Sequence, residues 1–233
     1  MFGVVFAFLF PLFLIPILFK KQHRLIGVLN RWWAKVVFTC SFLPYSTECR
    51  AKLNSKKQYI FCPNHFSYID IPAMGLNPCN SIFVGKSEMA SVPFFGYMYS
   101  KLHITVNRSK LKSKYSSFIK SKEAIDEGKS LVIFPEGGIV TTTFPHMARF
   151  KDGAFRLAIE KQIPVVPVTI ATNWILLPGD LVPLKRYPIK VIFHEPIHPD
   201  SKTWTIQTLK EKVFTTIDTE LKKVESDYNN GHR

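Results

Sequence analysis

A chain of 233 residues can bury one sizeable core plus an appendage, which excludes a string of independent domains. A formal net charge of +14 and an isoelectric point near 9.7 imply an anionic partner: membrane phospholipid, nucleic acid or an acidic carrier. Hydrophobic residues at 46% exclude a disordered basic tail and suit a protein that works at a membrane surface.

Residues 1–19 carry no charge, are almost wholly apolar, and run into Lys20-Lys21. At about 1.5 Å per residue they reach roughly 28 Å, near the hydrocarbon thickness of a bilayer. A signal peptide fits poorly, since the start lacks a positive charge and no small-x-small cleavage site follows. Pro11 and Pro16 would kink a helix here, so the expectation is a segment that crosses the membrane or dips into one leaflet. The basic pair predicts a cytoplasmic carboxyl-terminal side. From 23 to 45, Arg24, Arg31 and Lys35 recur at helical spacing beside Trp32 and Trp33. That pattern predicts a helix lying among headgroups, in preference to one packed on the protein's own core.

From residue 52 onward apolar runs alternate with helical patterns. Strands are expected at 58–62, 81–85, 103–107, 130–134, 165–171 and 190–194, and helices at 113–127, 153–161 and 204–224. In the last, Ile206, Leu209, Val213, Ile217, Leu221 and Val224 keep an i, i+3/i+4 beat. The alternation argues for a single α/β layered domain with a mostly parallel central sheet flanked by helices. Cys40, Cys49, Cys62 and Cys79 form no CxxC pair and no metal spacing, and read as reduced residues in a reducing compartment.

Polar clusters stand at the carboxyl ends of several expected strands, where open α/β sheets bind ligands. After Tyr59-Ile60-Phe61-Cys62 comes Pro63-Asn64-His65-Phe66-Ser67-Tyr68-Ile69-Asp70. An imidazole moves protons near neutral pH, and a carboxylate five residues on can hold it in one tautomer. Residues i and i+5 lie about 140° apart in an ideal helix, so the pairing needs a turn, which the flanking prolines favour. A second cluster, Phe134-Pro135-Glu136-Gly137-Gly138, ends Leu131-Val132-Ile133, and its glycines permit close approach of a substrate to backbone N–H groups. Arg108 follows Ile104-Thr105-Val106 and Lys86 follows Ile82-Phe83-Val84-Gly85; an arginine in that position can grip phosphate through its planar fork. His194-Glu195-Pro196-Ile197-His198 matches the letters of the zinc-protease HExxH pattern. Pro196 interrupts the helix that pattern requires, so no metal site is expected there.

Asn64-His65-x-Ser67-x-x-Asp70, Arg108, Phe134-Pro135-Glu136-Gly137 and Val166-Pro167-Val168 fall in the order of four motifs, and together resemble the glycerolipid acyltransferases, specifically the PlsC-type 1-acylglycerol-3-phosphate acyltransferase family. Phe150-Lys151-Asp152-Gly153-Ala154-Phe155 and Gly85-Lys86-Ser87-Glu88 are similar to that family too, and the resemblance covers residues 57–197. It implies membrane-anchoring helices over 1–45 and an acyltransferase domain over 46–233. It also implies transfer of a fatty chain from acyl-CoA or acyl-carrier protein to the sn-2 hydroxyl of lysophosphatidic acid, without metal or other cofactor. His65 would correspond to the general base and Asp70 to the carboxylate that orients it, with the acceptor's hydroxyl replacing the serine of a hydrolase triad. Ser67, Lys86, Arg108, Glu136 and Gly137 would bind substrate, Arg108 facing phosphate. The partners implied are anionic membrane lipid, a lysophospholipid and the acyl donor, at a bacterial inner membrane with the site on the cytoplasmic face. Nucleic acid is not among them, since the basic residues are dispersed and no recognised module appears.

The chain departs from the family pattern after Phe-Pro-Glu-Gly, where Gly138-Ile139-Val140 replaces Thr followed by Ser or Arg. The motif before Arg108 is also loose, with Val106-Asn107 in place of an aspartate-containing form. Arg149 or Lys151 would have to supply the missing phosphate ligand. These departures keep open an O-acyltransferase for a lyso-aminolipid, such as an ornithine or glycine lipid, or for another lysophospholipid. A non-catalytic basic protein that coats membranes explains the charge and amino terminus but gives no reason for the polar clusters.

Overall fold

A computed structural model of the chain describes residues 2–19, 25–92, 94–177, 185–200 and 203–231. Lys20, Lys21 and Arg24, on which part of the membrane reading rests, lie outside the described residues. The elements are α1 (Phe2–Leu18), α2 (Leu25–Cys40), β1 (Tyr45–Cys49), β2 (Ile60–Pro63), α3 (Asp70–Gly75), β3 (Ser81–Lys86), α4 (Phe95–Leu102), β4 (Ile104–Val106), α5 (Leu111–Asp126), β5 (Ser130–Ile133), α6 (Gly153–Lys161), β6 (Val165–Ile170), α7 (Asn173–Leu176), β7 (Ile189–Phe193) and α8 (Ile206–Gly231).

The strands form one seven-stranded sheet in the order β1-β7-β6-β2-β5-β3-β4. All neighbours run parallel except β6 and β7, which pair antiparallel through Val168–Phe193, Thr169–Ile192 and Ile170–Val191. Strand β1 escapes the sequence because Tyr45-Ser46-Thr47-Glu48-Cys49 is polar and largely exposed, as befits an edge strand. The central strands are buried on both faces, as parallel strands with helices above and below must be. Their side chains alternate: Ile60, Cys62 and Leu131 point into one core with α5, α6 and α8, while Phe61, Val132 and Val166 point into the other with α2 and α3. Leu209, Val213, Ile217 and Leu221 of α8 are fully or almost fully buried, as the beat predicts.

Among the described residues no helix is long and apolar enough to cross a membrane. Helix α1 instead lies on the domain, with Phe6 and Phe13 buried and the Phe6 ring edge-on to Phe95 of α4 at 5.2 Å. Its other side leaves Phe8, Leu12, Ile15 and Leu18 exposed, and Phe19 beyond its end as well. Helix α2 packs on the core through Ile26, Trp33, Ala34, Val37 and Phe38, while Trp32 and Lys35 remain exposed. A side chain at Gly75 would place its Cβ 2.9 Å from the Ala34 Cβ, so the close α2–α3 approach requires glycine there. Arg31 donates from Nη1 to the carbonyls of Asn77 (2.9 Å) and Pro78 (3.3 Å), just beyond α3. These bonds tie α2 to the chain just beyond α3.

Candidate functional site

Strand β2 delivers the chain to the site. The Asn64 side chain stitches its end to β6: Nδ2 donates to the Ile170 carbonyl at 3.2 Å, and Oδ1 accepts from Ile170 N at 2.8 Å. The next five residues turn tightly, with Asp70 N donating to Ser67 O, before α3 starts at Asp70. The turn folds the carboxylate back under the imidazole. Asp70 Oδ2 accepts from His65 Nδ1, Phe66 N and Ser67 N, each at 2.9 Å, and Oδ1 accepts from Asn173 Nδ2 at 2.7 Å. The α3 amino terminus favours that negative charge. With Nδ1–H committed to the carboxylate, Nε2 carries the lone pair. His65 is 9% exposed, and its ring stacks on Phe134, centroids 4.0 Å apart.

His65 and Phe134 line a cleft of about 550 Å³ with Tyr68, Lys86, Arg108, Gly137, Ile139 and Val140. His65, Lys86, Arg108 and Gly137 are therefore brought together. Arg108 donates from Nη1 to the Gly137 carbonyl, which fixes one corner of the guanidinium and leaves other N–H groups for a ligand. Gly137 has φ +81°, and a Cβ there would lie 2.6 Å from Lys151 Nζ. Of the two cations considered as replacements for the missing hydroxyl, Lys151 reaches the turn, whereas Arg149 lines a separate cavity with Lys210 and Phe214.

Two apolar spaces adjoin the cleft. One, of about 260 Å³, lies between α5 and α6 and shares Val84, Arg108, Phe134 and Gly137 with it; Lys114 and Lys151 are at its wall. The other, also about 260 Å³, is lined by Phe6, Trp33, Ile69, Pro72, Val92, Phe95 and Leu177, and shares Tyr68, Ile71 and Met89 with the cleft. A long apolar chain beside a base and a cluster of cations is what this shape accommodates.

Two expected substrate-binding residues stand outside the cleft. Ser67 is fully buried, and its hydroxyl accepts from Ile69 N at 3.3 Å. Glu136 is 1% exposed; its oxygens accept from His65 N at 2.7 Å and Ala148 N at 2.8 Å. Both hold the backbone around the imidazole and neither lines the cleft, so the structure places them behind the site and not at the binding position expected of them. Asn173 was missed, although Ala171-Thr172-Asn173 ends an expected strand and the positional rule that singled out His65 applies there equally. The HExxH look-alike is extended: Ile197 bridges to Val165, and His194 Nε2 pairs with the Thr169 hydroxyl at 2.8 Å.

Three buried ionisable groups give the stability a pH dependence. Burial pushes His103 down to about 3; its Nδ1 accepts from Phe83 N at 3.2 Å, which requires a neutral ring. Burial, then the nearby Arg50, lowers His194 to about 4. Burial raises Glu136 to about 8 against its two N–H donors, with Asp70 adding to the rise. Unfolded, the histidines titrate near 6.5 and the glutamate near 4.5. As pH falls from about 8 to 4.5 the fold gains from Glu136; below about 6.5 it loses from both histidines, because the unfolded chain takes up protons that the fold refuses. The two histidines outweigh the one carboxyl, so the melting temperature should fall between about pH 6.5 and 4.5, and less steeply in His103→Asn. A melting temperature that rises over that interval would contradict this assignment.

Comparison with known proteins follows the same lines. A family model described as "Acyltransferase" matches residues 46–171. A 1-acyl-sn-glycerol-3-phosphate acyltransferase of Limnanthes alba is 28% identical over 169 residues, covering 71% of this chain and 59% of that protein. One of Saccharomyces cerevisiae is 34% identical over 122 residues, covering 51% and 40%. The chain thus spans less than two thirds of the length of these curated relatives. The crystal structure of the 1-acyl-sn-glycerophosphate acyltransferase PlsC from Thermotoga maritima superposes with a TM-score of 0.77 over 97% of this chain and 92% of that one, at 19% identity, and shares its fold.

Proposed function

The chain belongs to the acyltransferase family, and from that premise we propose that it moves a fatty acyl group from an acyl thioester to the sn-2 hydroxyl of lysophosphatidic acid, giving phosphatidic acid. The observation that carries this reading is the 2.9 Å contact of His65 Nδ1 with a fully buried, fully partnered Asp70 at the wall of a cleft that also holds Arg108. Nε2 takes the proton from the acceptor hydroxyl as its oxygen attacks the thioester carbonyl. The tetrahedral adduct collapses, the C–S bond breaks, and the imidazolium returns the proton to the departing thiolate. No covalent enzyme intermediate is needed, because the acceptor supplies the nucleophile.

The acceptor's phosphate meets Arg108, with Lys151 and Lys86 as further cations, and the apolar spaces beside the cleft take acyl chains. The enzyme works at an anionic membrane surface. Exposed Phe8, Leu12, Ile15 and Leu18 of α1 lie on the same helix as Phe10, whose ring packs on exposed Phe94 (5.6 Å) and Tyr97 (6.4 Å). An apolar patch of that kind, on a chain of net charge +14, suits insertion among headgroups of one leaflet. A bacterial inner membrane, with the cleft toward the cytoplasm and acyl-CoA or acyl-carrier protein as donor, is the setting we infer.

The test is mass spectrometry of products formed from labelled acyl-CoA and a panel of acceptors: lysophosphatidic acid, neutral lysophospholipids and a lyso-ornithine lipid. Phosphatidic acid should dominate. A dominant diacylated ornithine lipid would instead show that Gly138 marks a relaxed phosphate grip, and vesicle binding without any product would favour a non-catalytic surface protein.

A further inference from the structure

We propose that Asn173 is a positioning residue of the transfer reaction, acting through Asp70 on His65; this deepens the reading above and rests on it. Asp70 Oδ2 is shared by the imidazole and two backbone N–H groups of its own turn, whereas Oδ1 takes its hydrogen bond from Asn173 Nδ2, at 2.7 Å. Both residues are fully buried. The amide cannot be turned over without loss, because Asn173 Oδ1 accepts from Trp174 N at 3.0 Å. The α7 backbone is tied in turn: Leu177 N donates to Asn173 O at 2.9 Å, and Trp174 Nε1 donates to Ala171 O at 3.0 Å.

A donor fixed in this way does two things. It sets the plane of the carboxylate so that Oδ2 lies in line with His65 Nδ1. It also gives the carboxylate its fourth hydrogen bond, so an imidazolium formed during turnover meets a fixed partner. Without it, Oδ1 is a buried acceptor left without its donor. The titratable groups facing Asp70 are His65 on the same turn and Glu136 beyond β5; α7 contributes the neutral Asn173, and Arg31 of α2 is spent on the carbonyls after α3.

The experiment measures kcat and acceptor KM against pH for wild type, Asn173→Ala, Asn173→Ser, Asn173→Asp and His65→Gln, with circular dichroism and melting curves for each. Asn173→Ala should lower kcat about 10-fold or more and leave KM within about 2-fold. Asn173→Asp restores a donor only while the new acid is protonated, so its activity should fall as pH rises, a trend absent from Asn173→Ala. Wild-type kcat profiles in the folded Asn173 variants, or a loss confined to KM or to the folded fraction, would overturn the proposal. If Asn173→Ala does not fold, the serine and aspartate variants carry the same comparison. Dead His65→Gln beside wild-type Asn173 variants sinks this inference alone; full turnover by His65→Gln sinks the acyl-transfer reading and this inference with it.

Discussion

Replacing His65 with alanine is expected to slow acyl transfer to lysophosphatidic acid by about 10³-fold, the usual worth of a positioned general base and equivalent to roughly 4 kcal/mol in the barrier. The fold should survive. Asp70 would still accept from Phe66 N, Ser67 N and Asn173 Nδ2, and the Glu136 bond is made to the backbone of residue 65, not to its ring. What is lost structurally is one of four hydrogen bonds to Asp70 and the stack on Phe134, the latter worth about 1 kcal/mol. Initial rates with labelled acyl-CoA, read beside melting temperature and vesicle binding, separate the two effects. Turnover within 10-fold of wild type would remove His65 from the mechanism.

Arg108→Ala should act on the other half of the reaction, raising the acceptor KM by about 10- to 100-fold with a smaller fall in kcat, as expected for one lost hydrogen bond between charged groups. The guanidinium also holds the Gly137 carbonyl, so some looseness of the turn accompanies the loss. Arg108→Lys keeps the charge and forfeits the planar fork; it should recover only part of the affinity. Steady-state kinetics with lysophosphatidic acid, and with a neutral lysophospholipid as control, reads this directly. An unchanged KM for the phosphate-bearing acceptor would place the phosphate elsewhere.

The sequence carried the His65–Asp70 pair because the fold puts its polar clusters where a one-dimensional rule can find them. A polar cluster after an apolar run is visible without coordinates, and so are the strand ends before Arg108 and Glu136. What such a rule does not give is direction. Glu136 and Ser67 occupy the right stretches yet turn inward, because the backbone N–H groups of residues 65, 69 and 148 need acceptors inside the fold. Asn173 joins the dyad from 103 residues away, a pairing no local spacing encodes. The amino terminus is only partly legible for a related reason: α1 and α2 are apolar enough for lipid, and apolarity alone does not say whether a face meets a bilayer or the protein's own Phe95.

The packing of α1 has a practical corollary for anyone preparing this protein. Trimming away the first 19 residues to improve solubility would uncover Trp33 and Phe95, trading one greasy surface for another and removing Phe6 from the wall of an apolar space beside the cleft. Detergent, and not truncation, is the safer route to a well-behaved sample.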